Sequence, residues 1–158
     1  MISDIRERGS GTAAVAPAAN EQVRSTLAFL PTLTCVLSSC FERDRAGAVV
    51  DRVMQCSDEP LHIGVAMRKG HKIDPIIRDS HHFGLSILGK SDKQLTRRFS
   101  QSEGSSEVFD AIETFTLASR SPLLKKAVAV IDCEVVRHFD LEADYELFIG
   151  LVLAARVC

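Results

Sequence analysis

The chain has 158 residues, 46% of them apolar and 25% charged, with a formal net charge of −2. That length suits one domain burying roughly 70% of the surface its unfolded chain would expose, and the composition is ordinary for a globular protein. The sequence carries no aromatic-interleaved basic stripe of the kind that binds nucleic acid, and no apolar run near the roughly 18 residues of a membrane span. Its first residues, "MISDIRERGSGTAAVAPAAN", are charged where a secretory signal needs an apolar core of about 7–15 residues, so a cytoplasmic location is expected.

Residues 1–19, rich in Gly, Ala and Ser, read as a flexible tail, and 20–158 as the domain. Asn20 is a good cap for a helix from Glu21 to about Leu30, which Pro31 ends. "TLTCVLSSC" reads as a strand, and "ERDRAG" turns it into "AVV". In "LHIGVAM", Leu61, Ile63, Val65 and Met67 alternate onto one face, the pattern of a half-buried strand. Between these two runs, Asp51 to Glu59 is far more polar and longer than the two to five residues of an ordinary hairpin loop. It is either a surface loop or the lip of a site.

After the basic loop "RKGHK", Ile73 to Ser80 reads as a short helix with Pro75 near its start, and "FGLSIL" as another strand. Ser91 caps a helix over "DKQLTRRFS". The polar stretch 101–121 contains one apolar patch, "VFDAIETF", read as a short helix or an irregular excursion. Two long strands, "AVAVIDCEVVRHF" and "YELFIGLVLAARV", close the chain around the turn "DLEAD". Their apolar residues fall on both faces, which implies burial on both sides or a strongly curved barrel. Six or so strands with two or three short helices favour a small antiparallel barrel.

The five cysteines (Cys35, Cys40, Cys56, Cys133 and Cys158) are odd in number and show no C-x-x-C spacing, which reads as reduced structural thiols. His62, His71, His81 and His82 have no metal-ligand spacing, so no metal is expected, and His81 and His82 suit the end of a helix. No nucleophile elbow and no phosphate loop of the G-x-x-x-x-G-K type is present. The cluster Arg68, Lys69, His71 and Lys72 sits between a strand and a helix. It is either a solvated loop or a clamp for phosphate oxygens.

Taken in order, these segments resemble the flavin reductase-like family with the FMN-binding split-barrel fold, over about residues 23–155. "VRSTLAFLPTLTCVLSS" is similar to that family's opening helix and first strand. "VVDRVMQCSDEP" stands where it has Thr-Val-Asn-Ser and a Ser-Val-Ser-x-x-Pro loop. "IIRDSHHFGLSIL", "LTRRFS", "SPLLKKAVAVIDCEVV" and "ADYELFIGLVL" resemble its later motifs, in the same order.

The resemblance implies a mainly β chain, a six-stranded antiparallel Greek-key barrel with short flanking helices. It implies a homodimer that binds FMN or FAD, takes NAD(P)H as substrate and reduces the flavin, supplying it to a flavin-dependent monooxygenase. A flavin-binding electron carrier or sensor without nicotinamide turnover is the alternative. Asp51, Arg52, Gln55, Cys56 and Ser57 match the segment facing the flavin, and Arg68, Lys69, His71 and Lys72 would face its phosphate. Tyr145 stands where the family's Gly-Asp-His motif has its histidine, a position tied to nicotinamide binding or hydride transfer, and Ala143 replaces the glycine. Asp51 exchanges the family's amide for an acceptor-only carboxylate.

Overall fold

The computed structural model describes residues 17–101 and 104–158. The chain divides into two units, 1–31 and 32–158. In the first, α1 (Pro17–Leu27) begins earlier than the Asn20 cap predicts. Proline suits the opening turn of a helix, where its missing N–H has no partner to lose. Most of the expected tail, 1–16, lies outside the described residues.

The second unit is built on one antiparallel sheet. Its strands are β1 (Cys35–Phe41), β2 (Asp44–Val50), β3 (Arg52–Asp58), β4 (Leu61–Arg68), β5 (His82–Ile87), β8 (Ala129–Asp140) and β9 (Tyr145–Val157). They are hydrogen-bonded in the order β2-β1-β5-β8-β9-β4-β3. The two outermost strands, β2 and β3, are separated along the chain by Asp51 alone. A flat sheet would hold such margins about 29 Å apart, at roughly 4.8 Å per strand. One intervening residue spans only about 7 Å. The sheet is therefore rolled up, and a single stretch bent at Asp51 supplies both margins.

This mainly β architecture agrees with the sequence reading, with one correction of count. Seven ladder strands stand among the described residues rather than six, because 44–58 is cut at Asp51. A second correction concerns 51–59, whose residues 52–58 form a strand rather than a loop. β3 lies at a margin with five of its seven residues exposed, so solvent wets both faces and the period-2 apolar signal is missing. The turn before β2 is also tighter than "ERDRAG" suggests. Glu42 takes a left-handed φ of 54° and β2 begins at Asp44.

Two apolar layers hold the sheet. Inside the roll, Cys35, Leu37, Ile63, Val65, Met67, Phe83, Leu85 and Phe148 meet Ile73 and Ile77 of α2 (Ile73–Ser80). Full burial of side chains like these contributes roughly 1.5–3 kcal/mol each. On the outer face, Val36 and Val130 pack with Leu95 and Phe99 of α3 (Lys93–Gln101) and with Val108 and Phe109 of α4 (Glu107–Asp110). Leu123 and Leu124 of β7 (Leu123–Leu124), paired with β6 (Thr114–Phe115), complete that layer. Strand β1 and the start of β8 are thus apolar on both faces because both are covered. The far ends of β8 and β9 turn exposed instead.

Helix α2 ends as its sequence predicts, at a histidine. His81 adopts φ 60° and gives its N–H to the Ile77 carbonyl at 2.8 Å. Arg78, on the same helix, donates to Asp74 at 2.8 Å and to Glu146 at 3.1 Å. Glu146 is almost wholly buried, and its second contact is His138 Nε2 at 2.8 Å. The ligand-type atoms of Asp74, His138 and Glu146 all lie within 4.8 Å of one another. Arg78 already donates to both carboxylates, so the cluster carries its own cation.

Candidate functional site

Two adjoining clefts lie where the strand margins meet the loop after β4. The first, about 410 Å³, is lined by Ala48 to Asp51, by Ala66 to His71 and by Tyr145. The second, about 480 Å³, shares Ala48, Val49, Gly70 and His71 with it and adds Lys72, Phe99 and Ser100. Ala48, Val50 and Met67 are buried and form an apolar floor. Around that floor the walls are charged. Gly70 turns the loop at a φ of 82°, which favours glycine, with open space where a Cβ would stand.

The cleft gathers most of the residues singled out in the sequence. Asp51, Arg68, Lys69, His71 and Tyr145 line the first cleft, and His71 and Lys72 the second. Arg52 reaches the same place by stacking, its Cζ 4.0 Å from the centre of the Tyr145 ring. Gln55, Cys56 and Ser57 line neither cleft. Gln55 donates to Asp58 at 2.9 Å, Ser57 to the Pro60 carbonyl at 2.6 Å, and the Cys56 sulfur lies over Gly64.

The basic loop is partly neutralised by the β8–β9 turn. Lys69 Nζ pairs with Asp140, and Arg68 lies 3.4 Å from Asp144. The Lys69 contact, then the Glu142 N–H, hold the Asp140 carboxyl below its ordinary range. His71 Nδ1 accepts the Ile73 N–H at 3.1 Å, which fixes that ring at the start of α2. The sequence reading missed the apolar floor, the α3 wall and these acids. The alternation of β4 held the signal for the floor, since Ile63, Val65 and Met67 share its buried face, while Arg68, on the other face, pairs with Tyr145.

A family model described as a flavin reductase like domain matches residues 27–158. The chain belongs to the flavin reductase-like family. Among curated relatives of this family member is a ferric-chelate reductase (NAD(P)H) of Archaeoglobus fulgidus. It is 30% identical over 116 residues, 72% of this chain and 68% of its own. An NADPH-flavin oxidoreductase of Streptomyces viridifaciens is 29% identical over 146 residues, 88% of this chain and 75% of its own. Among solved structures, the styrene monooxygenase flavin reductase of Pseudomonas putida S12 superposes with a TM-score of 0.70 at 28% identity. The match covers 86% of each chain.

Proposed function

We propose that this chain is an NAD(P)H-dependent flavin reductase acting on FMN or FAD. The observation that carries the reading is the first cleft, whose apolar floor is rimmed by Arg68, Lys69 and His71. Its volume lies within the roughly 300–1,000 Å³ usual for small-molecule sites. These residues fit a flavin, with buried aliphatic side chains for a ring and cationic heads for a phosphate. When bound, the flavin supplies the hydride-accepting ring. The chain's part is to bind, orient and shield. Ala48, Val50 and Met67 exclude water from the floor, while Lys69, His71 and Lys72 hold a phosphate. Asp51 places a negative charge at the bend between β2 and β3. Tyr145 covers the cleft mouth and lines the nicotinamide side.

The styrene monooxygenase relative supports a further step, in which reduced flavin passes to a flavin-dependent monooxygenase. Among the described residues no helix is long and apolar enough to cross a membrane, and a cytoplasmic protein serves this role. The exposed Phe139, Leu141, Leu153 and Val157 on β8, β9 and their ends support a homodimer. A solution mass near twice 17.3 kDa is expected, and a monomer at micromolar concentration overturns the dimer.

The test is oxidation of NADH and NADPH with FMN, FAD or riboflavin as acceptor. Changing Lys69 and Lys72 together to Ala should weaken FMN at least about tenfold more than riboflavin, since charge-assisted hydrogen bonds contribute about 1.5–3 kcal/mol each. An equal loss for both would remove the loop from the phosphate. A protein that holds FMN yet oxidises neither nicotinamide would be an electron carrier instead.

A further inference from the structure

Two guanidinium groups close on the one tyrosine of the chain. Arg52 Cζ lies 4.0 Å and Arg68 Cζ 5.2 Å from the centre of the Tyr145 ring. The strand register puts them there. Arg68 pairs with Tyr145 between β4 and β9, and Arg52 pairs with Ala66, two residues before Arg68, so all four project from one face.

A guanidinium stacked on a ring engages its flat face and leaves its edge N–H donors for a ligand. The carboxylates beside them stand at 3.9 Å (Asp51 to Arg52) and 3.4 Å (Asp144 to Arg68). Both separations exceed the roughly 2.7–2.9 Å of a tight charge-assisted hydrogen bond. The two arginine side chains are also 55% and 68% exposed. The cleft mouth therefore presents two forks of donors gathered at one ring.

The cations of this region fall into two sets. Lys69, His71 and Lys72 sit on the loop that walls both clefts, whereas Arg52 and Arg68, the latter also at the rim of the first cleft, gather at Tyr145. For FMN, whose single phosphate the three loop cations suffice to hold, the arginine pair is available to a second phosphate. A phosphomonoester offers three terminal oxygens and a charge approaching −2 at pH 7, which suits two forks. Each phosphate of a dinucleotide's internal pyrophosphate keeps only two free oxygens and carries one charge.

We infer that Arg52 and Arg68, stacked on Tyr145, form a receptor for the 2′-phosphate of NADPH and set a preference for NADPH over NADH. The inference rests on the flavin reductase reading for its dinucleotide, but the receptor is testable without flavin. The probes are adenosine 2′,5′-bisphosphate, which carries the 2′-phosphate, and ADP-ribose, whose two phosphates are both bridged and which has no 2′-phosphate.

By calorimetry the bisphosphate should bind at least about tenfold tighter than ADP-ribose, a gap of about 1.4 kcal/mol. Arg52→Ala and Arg68→Ala should each remove most of that gap, and Arg52→Lys should restore only part of it because an ammonium has no fork. The preference should also shrink below pH about 6, where a phosphomonoester gains a proton. With FMN present, the ratio of kcat/KM for NADPH to that for NADH should fall about tenfold in each alanine variant.

Equal affinity for the two probes overturns the inference. So does an equal loss of both in the variants. A loss of FMN over riboflavin with the bisphosphate unaffected would give the pair to the flavin phosphate instead. Bisphosphate binding that depends on Arg52 and Arg68, in a protein that reduces no flavin, supports the receptor and refutes the reductase reading alone.

Discussion

Replacing Arg78 with Met should destabilise the protein far more than replacing its partner Glu146 with Gln. The Glu146 side chain is 3% exposed, and one oxygen, Oε2, receives both Arg78 and His138. Its other oxygen, Oε1, has no hydrogen-bond partner among the described residues. Removing the guanidinium leaves a buried carboxylate with a single neighbour. Breaking a buried ion pair in this way costs about 3–5 kcal/mol. Arg78 is 51% exposed, so water enters from its side, and the lower figure, about 3 kcal/mol, applies. In the reverse change Arg78 keeps Asp74 and solvent, and the loss is about 1 kcal/mol, the net worth of one hydrogen bond. The double variant should therefore recover about 2 kcal/mol relative to Arg78→Met alone. In a chain of this size 1 kcal/mol moves Tm by about 3 °C, so the expected drops are about 9 °C for Arg78→Met and about 3 °C for Glu146→Gln. Urea unfolding followed by circular dichroism measures all three variants. An Arg78→Met loss below about 1 kcal/mol, or a double variant no more stable than that single one, refutes the reasoning.

Thiol labelling at pH 8 should mark Cys56 and Cys158 quickly and the half-buried Cys40 more slowly, while burial pushes Cys35 to about 11 and Cys133 to about 12 and keeps both silent until the chain unfolds. Fast labelling of a third and fourth thiol in the folded protein would contradict this. Asp140, held low by Lys69, contributes stability that is present above its unfolded pKa of about 3.9 and is lost as pH falls through the lower folded value. Lys69→Met should return its carboxyl titration, followed by NMR, toward about 3.9, and an unmoved titration would show that the lysine is not the cause. Gly150→Ala should cost about 1–3 kcal/mol by overpacking. Its new Cβ would stand 2.6 Å from both Phe83 and Cys133, so a wild-type melting curve would mean the core yields there.

The elements most legible in the sequence were those with one wet face or a clear stop. Ile73–Ser80 and Tyr145–Val157 stand where the sequence places them, one bounded by a histidine cap and the other by a turn. β3 was misread because periodicity reports a dry face, and a marginal strand with Met54, Gln55 and Cys56 all exposed has none. The cationic half of the site was legible because Arg68, Lys69, His71 and Lys72 are adjacent in sequence. Its remainder depends on distant pairings. Arg52 meets Tyr145 only through the β3–β4–β9 register, and Lys69 meets Asp140 only across the turn before β9. The Arg78–Glu146–His138 cluster, drawn from a helix and both arms of a hairpin, left no spacing to read.

The single stretch that supplies both margins of the sheet also bears on solubility. An unpaired strand margin is a template on which another chain can add a strand, and charged side chains are a common defence. Here both templates belong to residues 44–58, which carry Asp44, Arg45, Asp51, Arg52 and Asp58. Asp51 and Arg52 thus stand both beside the cleft and at the charged junction of the two margins. A variant that neutralises them to retune ligand preference also strips protection from both rims at their junction, so loss of activity in such a variant is to be read beside its colloidal stability.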